Sequence, residues 1–199
     1  MKVVVIDYNA GNIQSVAFAL ERLGVQAIIS RNPEIIQSAD KVIFPGVGEA
    51  GTTLRFLKNH LLDRVIKNLR QPVLGICLGM QLLCSHSEEA DTECLGIIPQ
   101  KVLKFRPAET GQKVPHMGWN QIQNLQDEIF SPELENEFVY FVHSYHVEIG
   151  ECTTATTDYI LPFSSGVQKD NFFATQFHPE KSGSVGELIL QNFLGMVNK

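Results

Sequence analysis

Pro72-Val73-Leu74-Gly75-Ile76-Cys77-Leu78-Gly79-Met80-Gln81-Leu82-Leu83 reads as a short apolar strand, a glycine-flanked cysteine and the opening of a helix. A strand that breaks at Gly-x-Cys-x-Gly and re-enters as a helix is a nucleophile elbow with cysteine in place of serine. Glycines on both sides let the backbone turn sharply and let a substrate approach closely. The turn leaves the Cys77 thiol at a helix N-terminus, where the helix dipole favours thiolate over thiol. The alternative is a buried core thiol in a strand-to-helix turn. The paired glycines favour the nucleophile.

Outward from the elbow, the first half alternates strand and helix. Residues 2–7, 25–30, 41–44 and 72–77 are apolar, β-branched runs expected to be strands. Ile13, Val16, Ala17, Leu20 and Leu23 recur at helical spacing, with Gly24 as the stop. Asn32-Pro33 is a cap followed by a first-turn proline. Residues 52–69 predict a helix interrupted near His60, and 78–86 the helix after the elbow. This alternation implies an α/β fold with a doubly wound, mostly parallel sheet. Ligands bind such sheets outside the carboxyl ends of the strands. Three of those ends carry unusual loops, at residues 8–12, at 45–51 and at the Cys77 elbow.

The second half changes texture. Residues 96–105, 119–123, 137–142, 145–148, 152–158, 165–168 and 172–177 read as short strands, expected to form an antiparallel extension of the parallel sheet. A helix over 185–196 closes the chain, with Leu188, Ile189, Leu190, Phe193 and Val197 apolar. With 199 residues and no repeat or linker-like stretch, one domain spanning 1–199 is expected.

Net charge is −6 and no run of Lys/Arg occurs, which argues against nucleic acid or an anionic membrane surface as partner. The N-terminus lacks the features of a signal peptide, and no apolar stretch has the length of a membrane span. A cytoplasmic location is expected. Cysteines at 77, 84, 94 and 152 contain no C-x-x-C spacing and no zinc set, so no metal is expected. Only Cys77 has a special setting; Cys84, Cys94 and Cys152 are expected to be structural.

The partner for Cys77 lies in Gln176-Phe177-His178-Pro179-Glu180. A histidine before proline is held extended, and Glu180 can point the same way and bond its ring. Cys77 as nucleophile, His178 as base and Glu180 as orienting carboxylate form a triad able to attack an acyl or amide carbon. Pro45-Gly46-Val47-Gly48 matches neither a P-loop nor a dinucleotide fingerprint. Its place beside the elbow suits backbone N–H groups that stabilise an oxyanion, with the Leu78 amide as second donor.

Gly75-Ile76-Cys77-Leu78-Gly79-Met80-Gln81, Pro45-Gly46-Val47-Gly48 and Phe177-His178-Pro179-Glu180 together resemble the class I (triad) glutamine amidotransferases, a flavodoxin-like fold. Asp7-Tyr8-Asn9-Ala10-Gly11-Asn12-Ile13, Pro115-His116-Met117-Gly118-Trp119-Asn120 and Val142-His143-Ser144-Tyr145 narrow the likeness to the glutaminase subunits of imidazole glycerol phosphate synthase. The likeness runs the length of the chain, and the Pro-His-Met-Gly-Trp-Asn segment is its most specific part. It implies hydrolysis of L-glutamine through a Cys77 glutamyl thioester. The ammonia released would pass to a (β/α)8-barrel cyclase subunit, which forms imidazole glycerol phosphate and aminoimidazole carboxamide ribotide in histidine biosynthesis. No cofactor is implied. By position, Gln81, Glu89, Ser144 and Tyr145 would contact glutamine, and Val47 and Gly48 would lie beside the oxyanion. Asn12, His116, Met117, Gly118, Trp119 and Asn120 would lie at the subunit interface. The same likeness implies a Pro45–Gly48 loop that is misaligned until the partner binds.

His60 and His86 are expected at the surface, and His143 and His146 near the site without moving protons. Three alternatives compete: an amidotransferase subunit serving another synthase, a non-catalytic subunit that keeps the fold, and a cysteine peptidase. Gln81 and Ser144-Tyr145 suit a small amino acid better than an extended peptide.

Overall fold

The apolar runs of the first half become the centre of the sheet. The computed structural model describes residues 1–8, 11–107 and 109–196, so Asn9, Ala10 and Val197 lie outside the described residues. The first half contains β1 (Val3–Ile6), α1 (Ile13–Arg22), β2 (Ile28–Ser30), α2 (Pro33–Gln37), β3 (Lys41–Phe44), α3 (Ala50–Asn59), α4 (Leu62–Lys67), β4 (Val73–Ile76) and α5 (Leu78–Leu83). Asn32 caps α2 as expected, its side chain accepting from the N–H of Glu34 and Ile35. The break expected near His60 is real: Leu61 adopts a left-handed φ of 57° between α3 and α4.

The second half supplies β5 (His86–Ser87), β6 (Thr92–Glu93), β7 (Lys101–Lys104), β8 (His116–Gln121), β9 (Phe138–His143), β10 (Tyr145–Val147), β11 (Thr153–Asp158), β12 (Pro162–Lys169), β13 (Phe172–Thr175) and α6 (Gly183–Gly195). The main sheet runs β2-β1-β3-β4-β13-β12-β10-β7-β5-β6, with β11 paired to β12. Strands β2 through β13 in that order are parallel; β12, β10 and β11 continue it antiparallel. Side chains of β1, β3, β4 and β13 are buried throughout, as expected for strands covered on both faces. Helices α1 and α6 are joined by Arg22 Nε to Glu187 at 2.9 Å, while α2, α3, α4 and α5 pack among themselves. The two groups are the two helical layers of a doubly wound sheet.

Three expectations change. The strand at 172–177 belongs to the parallel core, pairing parallel with β4 and antiparallel with β12, so it is the seam between the two halves. Strands β8 and β9 stand apart as a two-stranded sheet. The helix after the elbow stops at Leu83, because Cys84 is extended and His86–Ser87 is drawn into pairing with β6 and β7. Among the described residues no helix is long and apolar enough to cross a membrane.

Candidate active site

Strand order brings the expected residues together. β4 lies between β3 and β13, all parallel, so Cys77 emerges with the Pro45–Gly48 loop on one side and the Gln176–Glu180 segment on the other. Cys77 has φ 53° and ψ −106°, a left-handed conformation that costs a non-glycine residue roughly 1–3 kcal/mol and that the surrounding fold must hold. Packing explains the neighbouring glycines. A Cβ on Gly79 would sit 2.0 Å from the Phe44 carbonyl oxygen, and one on Gly46 would sit 2.5 Å from the Gly79 nitrogen. Elbow and loop meet backbone to backbone.

His178 is extended, at φ −100° and ψ 96°, as the following proline requires. Its Nδ1 bonds Glu180 Oε1 at 2.8 Å, and both side chains are fully buried. Nε2 is buried without a hydrogen-bond partner, which leaves it for Cys77. Burial alone would lower the imidazole pKa. The charge and contact of Cys77, then those of Glu180, outweigh it and raise His178 to about 10. The imidazole is thus set between the Cys77 sulfur and the Glu180 carboxylate, with Nδ1 engaged and Nε2 open. Strand β9 secures this segment: the Tyr140 carbonyl accepts from His178 N–H at 3.0 Å, and Tyr140 N–H donates to Ser182 Oγ at 3.0 Å.

A cavity of about 350 Å³ opens over Cys77, and its walls include Val47, Gly48, Leu78, Gln81, Glu89, Ser144 and Tyr145. The oxyanion and glutamine candidates thus line one pocket. A larger cavity, about 750 Å³, lies at the opposite end of β4 and β13, beside Pro72 and Asn171 and away from Cys77. Within the smaller pocket Glu89 Oε2 accepts from Ala50 N–H at 2.8 Å, and burial raises its carboxyl pKa. The Leu78 N–H donates to the Gly46 carbonyl at 3.3 Å. One of the two expected oxyanion donors is therefore occupied by the loop itself.

The interface candidates divide. Met117 and Trp119 project from β8 into solvent, 63% and 56% exposed. Gly118, at φ 132°, and Asn120 are partly exposed. His116 and Asn12 are buried. His116 stacks between Phe141 and Tyr159. Asn12 donates through Nδ2 to Glu180 Oε1 at 3.0 Å, the oxygen that also bonds His178.

His143 lines the Cys77 pocket, whereas His146 is stacked on Phe105 outside its lining. Burial lowers His116 and His146 to about 4 and His143 to about 3. His60 is exposed and stacked on Phe56; His86 is half-buried and bonds Asp91. Cys84, Cys94 and Cys152 are buried free thiols.

Two side chains gained no role from the sequence. Tyr8 is buried, and its hydroxyl donates to the Pro45 carbonyl at the root of the 45–48 loop. Burial, then the Cys77 charge, raises its pKa well above the usual value, which keeps the donor proton in place. Gln176 is fully buried with its amide toward Cys77. Both lie inside quoted motifs, where polarity alone gave no sign that they were buried.

The glutamine amidotransferase class-I family profile matches residues 4–196. The imidazole glycerol phosphate synthase subunit HisH of Bacteroides thetaiotaomicron is 61% identical over 98% of this chain and 100% of its own. The subunit of the same name from Idiomarina loihiensis is 46% identical over 98% of this chain and 97% of its own. Among solved structures, a glutamine amidotransferase superposes with a TM-score of 0.71 at 19% identity, covering 96% of each chain. One from Thermotoga maritima superposes at 0.61 and 18% identity, covering 98% of this chain and 82% of that one; at such identities the likeness concerns the fold. The profile match and the identity to the HisH subunits establish that the chain belongs to the class-I glutamine amidotransferase family.

Proposed function

We propose that this chain is the glutaminase subunit of an imidazole glycerol phosphate synthase, hydrolysing L-glutamine to glutamate and ammonia at Cys77 and delivering the ammonia to a (β/α)8-barrel cyclase subunit. The observation that carries the proposal is the buried Cys77–His178–Glu180 line set beside a pocket of small-amino-acid size.

The Cys77 thiolate attacks the side-chain carboxamide carbon of glutamine, giving a tetrahedral oxyanion. The His178 imidazolium protonates the amine as the C–N bond breaks, and a glutamyl thioester remains. Water, deprotonated by His178, then attacks the thioester, and glutamate leaves as Cys77 regains its charge. Glu180, with Asn12 on the same oxygen, holds Nδ1–H and steadies the imidazolium. Gln81 spends both amide protons on the Tyr145 carbonyl and on Gln176, so it offers a bound glutamine only its carbonyl oxygen. An acceptor there suits an α-ammonium group.

Turning the Gly46 carbonyl away from Leu78 N–H would free that donor and bring Val47 N–H toward the oxyanion. The resting loop thus keeps hydrolysis slow until the partner docks. Exposed Met117 and Trp119 lie on the strand paired with β9, whose Tyr140 holds His178, and this supports docking on the β8–β9 hairpin. An electrophilic glutamine analogue should label Cys77 faster with the partner present, read by mass spectrometry of the Cys77 peptide. Absence of labelling under both conditions would refute a glutamine site at this sulfur.

A further inference from the structure

The Tyr145 carbonyl dictates the orientation of two buried amides. A carbonyl can only accept, and it lies 3.0 Å from the Gln81 side-chain nitrogen, so that end of Gln81 is the NH2 group. The same nitrogen lies 3.0 Å from Gln176, so the Gln176 atom facing it is the oxygen. The Gln176 NH2 is therefore on the other side, where Nε2 lies 3.6 Å from Cys77 Sγ. The polarity of the chain follows from one backbone oxygen two links away.

The backbone fixes the distance as well. Cys77 N–H donates to the Thr175 carbonyl at 2.7 Å, Thr175 pairs with Ile76 in the parallel ladder, and Gln176 N–H donates to Ser165 at 2.9 Å. Gln176 is thus held from both sides beside the sulfur, and it is fully buried. An N–H directed at a sulfur in a dry site stabilises negative charge there more than it would in water.

We propose that Gln176 is a hydrogen-bond donor to the Cys77 thiolate, oriented for that task by Gln81 and the Tyr145 carbonyl. Gln176 touches the reacting atom; Gln81 is, in this respect, a positioning residue. The inference rests on Cys77 being the attacking nucleophile. It adds a second stabiliser of the thiolate to His178, one that carries no proton to be lost when His178 gives its own to the leaving amine. The sulfur would then keep a partner throughout the cycle, including the final step in which the thiolate departs from the thioester.

The test is the pH dependence of Cys77 alkylation by iodoacetamide in the full chain, alone and with its partner subunit, followed on the Cys77 peptide. Gln176→Met keeps side-chain length and removes the donor. It should move the alkylation midpoint up by about one pH unit, about tenfold less thiolate below the midpoint. Gln176→Glu, which can still accept from Gln81 but gives the sulfur no N–H, should move it further. Gln81→Met, which frees Gln176 to turn, should move it in the same direction by less. A Gln176→Met midpoint equal to that of wild type, in a chain with unchanged thermal unfolding, would overturn the proposal. If Gln176→Met does not fold, an unmoved midpoint in Gln81→Met overturns it instead. The readout needs no glutamine turnover. Shifted midpoints with no glutamate formed by the wild-type complex would therefore sink the proposed function alone, and the reverse result would sink this inference alone.

Discussion

Four buried histidines of this molecule are driven in opposite directions, one up and three down. His178 is raised to about 10, while His116, His143 and His146 are lowered to between about 3 and about 4. Burial pulls on all four. The difference lies in the neighbours: His178 meets Cys77 and Glu180, whereas His116 and His143 meet aromatic rings, each other and a backbone carbonyl, and the Glu88 and Glu148 charges near His146 do not offset its burial. His143 Nδ1 donates to the Tyr145 carbonyl at 2.7 Å, so its Nε2 accepts from His116 Nδ1 at 3.0 Å. Those rings are neutral packing elements with a fixed hydrogen-bond direction. A buried histidine has its pKa raised only where nearby negative charge and hydrogen bonds outweigh the cost of burying its charged form.

The sharpest way to break this contrast is to remove the charged ring. His178→Gln should lower kcat/KM for glutamine by about 10²–10⁴-fold, measured as glutamate release by the complex. Glu180→Gln comes next. It removes the charge at Nδ1, should cost about 10²-fold or more, and should lower the pH at which His178 titrates, read by NMR of the imidazole. His116→Phe should act on the other group. It leaves His143 Nε2 without its donor and should cost about 1–3 kcal/mol of stability in urea unfolding, with far less effect on glutamine turnover than either triad variant. A larger loss of turnover than in Glu180→Gln would mean that the cluster takes part in proton transfer.

The smallest effect is the pH dependence of stability. A histidine whose folded pKa is depressed contributes stability that is present above about pH 6.5 and lost as pH falls toward the folded value. The cluster should therefore weaken the fold as pH falls from about 6.5 to about 3, because the unfolded chain takes up protons that the folded one refuses. His178 has the opposite sign, with a contribution present below about pH 6.5 and lost as pH rises through about 10. Urea midpoints measured across pH should fall at both ends. His116→Phe should flatten the acid side and leave the alkaline side unchanged.

Legibility in the sequence followed how far each signal is local. Strands β1, β3 and β4, the elbow, the Asn32 cap and the break at Leu61 are written in contiguous residues. The place of β13 is not, because its pairing with β4 joins residues about a hundred positions apart in sequence. Strand β8 was expected to begin at Trp119 and begins at His116. Its apolar Met117 and Trp119 face solvent, so alternation there did not track burial. Of the site, Cys77, His178 and the Pro45–Gly48 loop were legible as motifs. Asn12 on Glu180, Tyr8 on Pro45 and Gln176 on Cys77 were not, since each is a polar residue whose partner lies on another strand end.

Glutamine-dependent and ammonia-dependent product formation should separate in the complex of this chain with its partner subunit, compared for wild type and Cys77→Ser. Wild type should use both nitrogen sources. Cys77→Ser should lose the glutamine-dependent reaction by at least about 10³-fold and keep the ammonia-dependent one. Retention of glutamine-dependent turnover by Cys77→Ser would rule out Cys77 as the nucleophile.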